Sequence, residues 1–357
     1  MSRLRVSRPL LSLVMVTALL SVLQPVLVKA QSTEERLQSA RLHRSSPPPK
    51  PQETAANPNP REAINAWTVG LAGGLLEGAP IRLAAEMARV VDDGNNMHVL
   101  PVVTRGPTEN VNSLLYLRGI DLAIINSDSL DEYKSQVPDI QNKIDYVLNL
   151  FPSELHVFVR PEIHSLNDLV GKKVNFNTLG TAAAYTGPLI FSRLGLDVQK
   201  TFIPHQIALE QMRKGENGMA AVVFVTAKPI DAFVRGHFDP GFKFLPVPYT
   251  DKLEDYYLPT KLESTDYPNL IKPGERVDTV AVQTALVSFN WAANSDRYAR
   301  VARFVDYLFT RFSKLDGPGF DPQWRTVNPA ARVQGLTRFP AAQAWLDHHP
   351  RPSQALQ

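Results

Sequence analysis

Four loops of this sequence carry residue types suited to holding a small polar molecule, and each follows a short apolar run. The first, Gly70-Leu71-Ala72-Gly73-Gly74-Leu75-Leu76-Glu77-Gly78, leads into a helical stripe. Its spacing is not Gly-x-Gly-x-x-Gly, the dinucleotide fingerprint. Such a strand-to-helix turn lets N–H groups around Gly73, Gly74 and Leu75 approach an anion, aided by the helix dipole; in the plainer reading the glycines serve the turn alone. The second loop, Thr104-Arg105-Gly106-Pro107-Thr108-Glu109-Asn110, offers Arg105 either for bidentate contact with a carboxylate or as a surface group. Glu109 and Asn110 read as support for the turn and the helix start. The third, Asn126-Ser127-Asp128, stands at the carboxyl end of a buried-type strand, where α/β sheets bind ligands. Asn126 and Ser127 read as contacts, and Asp128 as a helix N-cap. The fourth, Asn177-Thr178-Leu179-Gly180-Thr181-Ala182-Ala183-Ala184-Tyr185, mirrors the first. Gly180, Thr181 and Ala182 present N–H donors beside Thr178, and Tyr185 either meets the ligand or packs in the core. A fifth element, Thr226-Ala227-Lys228-Pro229, offers Thr226 and an ammonium that either closes on a negative group or stays in solvent.

Motifs for bond chemistry are absent from the sequence. It has no Gly-x-Ser-x-Gly elbow and no His-Glu-x-x-His, and Gly171-Lys172 lacks the rest of a phosphate loop. The histidines are scattered, and only His348 and His349 are adjacent. His156 alternates with Leu155 and Val157 in a strand pattern, which suits a satisfied core histidine better than a catalytic one. No cofactor or metal is expected.

The elements that must position these loops alternate between strand and helix. Trp67 to Val69 reads as a strand ending at Gly70. Ile81, Ala84, Ala85, Ala88 and Val91 make one helical face behind Pro80. Strands are expected at Val99–Val103, Leu122–Ile125, Val147–Leu150 and Leu155–Val159, with a helical stripe at Val111, Leu114 and Leu115. A second series follows: Lys173–Phe176, a helix through Leu189 to Leu194, Thr201–Ile203, a helix from Ile207 to Arg213, and Ala220–Val225. Phe242–Leu245 is a further strand. Such alternation argues for parallel sheets in an α/β chain. Val277–Phe289 reads as a strand passing between two lobes, and Tyr298 to Phe312 as an amphipathic helix returning to the first lobe.

Composition narrows the class. With 44% apolar and 20% charged residues over 357 positions, the chain has ample material for a core. The formal net charge is +3. Arg3, Arg5, Arg8 and Lys29 supply more than that excess from the first 30 residues, which hold no acid. The remainder is nearly neutral and lacks the basic stripe that nucleic acid requires. There is no cysteine, which removes disulfides, thiolate metal sites and thiol nucleophiles. A basic start, an apolar run from Leu10 to Leu23 and Val28-Lys29-Ala30 make residues 1–30 a cleavable secretory signal; an uncleaved anchor is the alternative. Residues 31–66 read as a disordered Pro-rich leader, and 350–357 as a tail.

The sequence resembles the TAXI family of solute receptors from tripartite ATP-independent (TRAP) transporters. The resemblance lies in Val69-Gly70 with Gly73-Gly74, in Arg105 to Asn110, in Asp121-Leu122-Ala123-Ile124-Ile125-Asn126-Ser127-Asp128 and in Leu155-His156-Val157-Phe158-Val159-Arg160. Ser165-Leu166-x-Asp168-Leu169-x-Gly171-Lys172-Lys173-Val174 adds a segment shared by many receptors of this shape. The match spans about Trp67 to His349. Leu75 to Pro80 departs from the family's Thr-Tyr-Tyr-Pro, and Lys228 stands where Gly is common.

The resemblance implies a two-lobed, type II periplasmic-binding-protein fold, each lobe a mainly parallel sheet flanked by helices. Lobe 1 is expected over 67–160 and 286–349 and lobe 2 over 161–285. A two-crossover hinge is expected near Arg160–His164 and Val280–Val287. It also implies a periplasmic receptor that captures a small organic anion and passes it to a TRAP-type membrane permease. The expected contacts are Gly73, Gly74, Leu75, Arg105, Asn126, Ser127, Thr178, Gly180, Thr181, Ala182, Tyr185, Thr226 and Lys228. A receptor-shaped sensor without transport is the alternative, and an enzyme using the same cleft is a weaker one.

Overall fold

The computed structural model describes residues 59–349 apart from Glu77. The expected export signal over 1–30, the expected leader up to Pro58 and the expected tail over 350–357 lie outside the described residues. The end of the expected leader is helical rather than disordered: α1 (Pro60–Ala66) starts with Pro60 in its first turn, where a missing N–H costs nothing. Asn59 accepts the Arg61 N–H at 3.1 Å and caps it.

The first series is β1 (Thr68–Ala72), α2 (Ala79–Val91), β2 (His98–Val102), α3 (Pro107–Tyr116) and β3 (Leu122–Asn126). A long strand follows, β4 (Ile144–Val159). The second series is β5 (Lys173–Asn175), α4 (Ala182–Arg193), β6 (Gln199–Thr201), α5 (His205–Lys214) and β7 (Met219–Thr226). Then come α6 (Asp231–Val234), β8 (Lys243–Leu245), β9 (Tyr257–Glu263), β10 (Arg276–Phe289), α7 (Asp296–Thr310), β11 (Thr337–Arg338) and α8 (Pro340–His348).

The two series build the same half-sheet twice. β2 and β3 flank β1 in parallel, as β6 and β7 flank β5. Each half is then closed by one antiparallel strand: β10 beside β3, and β4 beside β7. β4 and β10 also pair with each other, from Ile144–Phe289 to Glu154–Ala281, so two long strands run through both halves. β10 carries β3 on residues 284–288 and β9 on 276–282. The result is a mixed α/β fold with one curled sheet built from two similar halves.

Two expectations change. Val147–Leu150 and Leu155–Val159 are one strand, and the chain leaves the first half at Phe151–Glu154 inside β4. Arg160–His164 lies at the far end of the second half, beyond the crossing. The polar residues between the two expected strands are satisfied within the sheet: the Ser153 and Thr284 hydroxyls meet at 2.8 Å, and Glu154 accepts the Lys228 N–H at 3.1 Å. Likewise Gly70 does not end β1 but lies within it. A Cβ there would run into the Gly119 carbonyl oxygen, so only glycine admits this approach.

Apolar faces follow the periodicity. Val301, Phe304, Val305 and Leu308 of α7 pack in one core with Val69 and Leu71 of β1 and Met87 of α2. Val157, Phe176, Ile190 and Val223 form the core of the second half. The described halves belong to one compact unit.

Candidate functional site

The carboxyl ends of β1 and β3 are tied together by one side chain. Asn110, fully buried on α3, donates to the carbonyls of Gly73 at 2.7 Å and Ile124 at 2.6 Å. The Gly73 N–H donates to Val102 O at 2.9 Å, and Gly74 O accepts from Thr104 at 3.0 Å. A Cβ on Gly73 would lie 2.9 Å from Ile81 Cα, whereas one on Gly74 would only touch Pro80 at 3.6 Å. Gly73 thus serves the packing of α2, and its N–H is already used. Leu75 is half-buried and accepts the Gly78 N–H at 2.9 Å.

Both expected cations have partners. Arg105 is exposed; its Nε donates to Glu109 at 3.1 Å and its backbone N–H to the same oxygen at 2.6 Å. Glu109 and Asn110 therefore support the turn, as their positions suggested. Lys228 does not stay in solvent: its ammonium donates to Asp266 at 2.8 Å and to the Lys261 carbonyl at 2.7 Å.

The remaining loops meet face to face at the seam between the halves. A Cβ on Gly106 would lie 2.7 Å from Gly180 O and 2.9 Å from Thr181 Cα, and one on Gly180 would lie 2.9 Å from Arg105 Cβ. Backbone thus packs on backbone, and the Thr108 hydroxyl donates to Gly180 O at 3.3 Å. Thr181 caps α4, accepting the Ala184 N–H at 3.3 Å, while its own hydroxyl donates to Thr178 O at 2.8 Å. Ala182 opens the helix, where N–H groups have no intrahelical acceptor.

Asn126 and Ser127 are buried at the end of β3, and Asn126 Nδ2 has no hydrogen-bond partner among the described residues. Asp128 is not a cap. Its Oδ2 accepts from Thr186 Oγ1 at 2.8 Å and from the Tyr257 hydroxyl at 3.0 Å, both in the second half. Burial pushes its carboxyl up to about 6. Tyr185 stands half-buried nearby, and burial together with the negative Asp128 and Asp131 holds its hydroxyl protonated.

Where the strands cross, Glu154 is buried opposite Thr226. Burial raises it to about 7 against the pull of Lys228. His156 is fully buried, with Nδ1 2.9 Å from Glu154 O and Nε2 2.8 Å from the Tyr267 hydroxyl. Burial lowers it to about 3, so it is a neutral, satisfied core group.

Arg105, Gly180, Thr181, Asn126, Ser127 and Tyr185 thus gather along the seam. Gly73 is used inside the first half, and Thr226 and Lys228 lie at the crossing beside Glu154. Sequence reasoning missed Thr186, Tyr257 and Glu154, and read Asp128 as a cap. A carboxylate two residues past a fully buried strand was the one signal available. Two surface hollows, of about 270 and 300 Å³, lie elsewhere on the second half, one against Arg160, Lys172 and Gly215 and the other against His164, Leu196 and Pro246.

The sequence matches no family model and no curated protein. Among solved structures it is similar to the BenM effector binding domain with its effector benzoate, at 14% identity over 71% of this chain and 97% of that one, TM-score 0.39. It is similar to an ancestral arginine-binding protein bound to arginine, at 16% identity over 73% and 96%, TM-score 0.40. The Bordetella pertussis BvgS periplasmic VFT2 domain is a third, at 12% identity over 70% and 90%, TM-score 0.40. The two-half layout stands on this chain's own strand pairing.

Proposed function

We propose that this protein is an exported, periplasmic receptor that encloses a small organic anion, a carboxylate or amino acid, between its halves and delivers it to a TRAP-type permease. One observation carries the reading: loops from the strand ends of both halves, Gly106–Thr108 and Gly180–Thr181, face each other across a seam spanned by two continuous strands. Closure of such a seam is driven by a ligand only if that ligand touches both sides. The N–H groups opening α4 supply the anion contacts, with the helix dipole behind them. The reading involves no bond chemistry.

A second reading, a sensor or interaction protein of the same shape without transport, is favoured by one feature. Lys228 is already held by Asp266 and the Lys261 carbonyl, so this cation is not free to hold an anion, and Arg105 is turned to Glu109 at the surface.

A melting screen against organic and amino acids tests the first reading. A ligand at 100 times its Kd adds about 2.7 kcal/mol of stability. Ala182→Asp puts a carboxylate in the first turn of α4, where the dipole tolerates it, and should abolish the shift while leaving the unliganded melt in place. A shift that survives this change sinks the placement of the site. A receptor that responds to a ligand yet transports nothing beside any permease supports the second reading.

A further inference from the structure

The seam is held shut by the protein's own side chains. Asp128 belongs to the first half, two residues past β3, and is wholly buried. Its two hydroxyl donors both come from the second half: Thr186 from the second turn of α4, and Tyr257 from the first residue of β9. The neighbouring tyrosine is held by the same turn of the first half. Tyr256 donates to Asp131 Oδ1 at 2.8 Å and accepts from the Lys134 ammonium at 2.9 Å. A third contact, Gly106 and Thr108 against Gly180, adds backbone packing across the seam. These contacts come from two segments of the first half, 105–108 and 128–134, and from two of the second, 180–186 and 256–257.

We infer that Asp128 is a tethered carboxylate that closes the two halves on each other without a ligand. In a hinged receptor a bound anion draws the halves together by accepting hydrogen bonds from the far side. Here the chain supplies that acceptor itself, through Asp128 Oδ2. The closed arrangement is therefore populated by the free protein, and anything entering the seam must displace these bonds or close over them. Such a competitor shifts the balance only by its preference for one arrangement. This inference concerns the free protein and stands whether or not the anion reading holds.

The absence of cysteine makes the experiment simple, because two introduced cysteines are the only labelling sites. Arg118→Cys in the first half and Lys200→Cys in the second, both exposed, take spin labels on the full exported chain. The protein is refolded from denaturant to strip carried-over ligand, and the label separation is read by pulsed dipolar spectroscopy. The expected result is one short population in the free protein, joined by a longer one in Asp128→Ala. Asp128→Asn keeps a carbonyl oxygen for both hydroxyls and should retain the short population. Should Asp128→Ala fail to fold, Thr186→Val with Tyr257→Phe removes both donors from the other side and should open the seam equally. A long or broad separation in the free parent protein overturns the inference. So does a folded Asp128→Ala, or a folded donor variant, with the parent's separation. A failed ligand screen leaves these distances untouched, so the two readings fail separately.

Discussion

Asn110 and Asp128 are both buried polar side chains at the strand ends of the first half, and their partners lie on different sides of the seam. Asn110 spends its amide on Gly73 and Ile124, carbonyls of its own half. Asp128 takes hydroxyls from Thr186 and Tyr257 of the other half. Glu154 belongs with Asn110 in this respect: it accepts the Lys228 N–H, inside the crossing where β4 pairs with β7. The contrast teaches that burial alone does not give a polar group its role. A group satisfied within one half holds the fold, and a group satisfied across the seam sets how the halves sit together.

The largest effect expected is that of Asn110→Ala. It leaves two buried carbonyls without a donor and opens a cavity, so unfolding in denaturant should lose on the order of 4 kcal/mol, with the spin-label separation of the surviving folded protein unchanged. A changed separation would blur the contrast.

Glu154→Gln comes next, and its readout is pH. Burial raises Glu154 from 4.5 to about 7, so the folded state holds the proton more tightly than the unfolded chain. Its stabilising contribution is full below about 4.5 and lost as pH rises through about 7. The charged groups facing it, Lys228 and Asp266, pull in opposite directions. Glutamine keeps an acceptor for the Lys228 N–H and cannot ionise. Denaturant titrations from pH 4.5 to 7 should therefore show a fall that is smaller in the variant than in the parent by on the order of 3 kcal/mol, the remainder coming from Asp128 and Asp145, which burial raises to about 6. Equal slopes would show that Glu154 is not the group responsible.

Thr186→Val removes one of the two hydroxyls on Asp128 and should cost about 1 kcal/mol, with a partial shift toward the open separation. A stability loss with no shift would move Asp128 into the same class as Asn110. Arg105→Ala is the smallest. Its ion pair with Glu109 is exposed, so melting should change by less than about 1 kcal/mol.

Much of this architecture is legible along the chain. Periodicity marks the strands and the faces of α2 and α7 because side-chain burial repeats every two or 3.6 residues whatever lies opposite. The role of Glu109 is legible for a local reason: its position at the start of α3 puts it beside the turn it supports, whereas the carbonyls that Asn110 holds stand 37 and 14 residues away. The continuity of β4 is hidden, since Pro152, Ser153 and Glu154 interrupt the apolar run and only β7 and β10 satisfy them. The function of Asp128 is hidden for the same reason. Its donors stand 58 and 129 residues away.

The sequence by itself determined the alternation of strand and helix, the two repeated series and the loops that end them, because backbone sterics and solvent act on neighbouring residues. Only the tertiary structure decided which charged groups remain available. Arg105 met a partner four residues on, while Lys228 met one 38 residues on and Asp128 found hydroxyls from the opposite half. Whether a charge is free, paired or buried depends on which distant segments pack against it, and no local pattern of residue types records that.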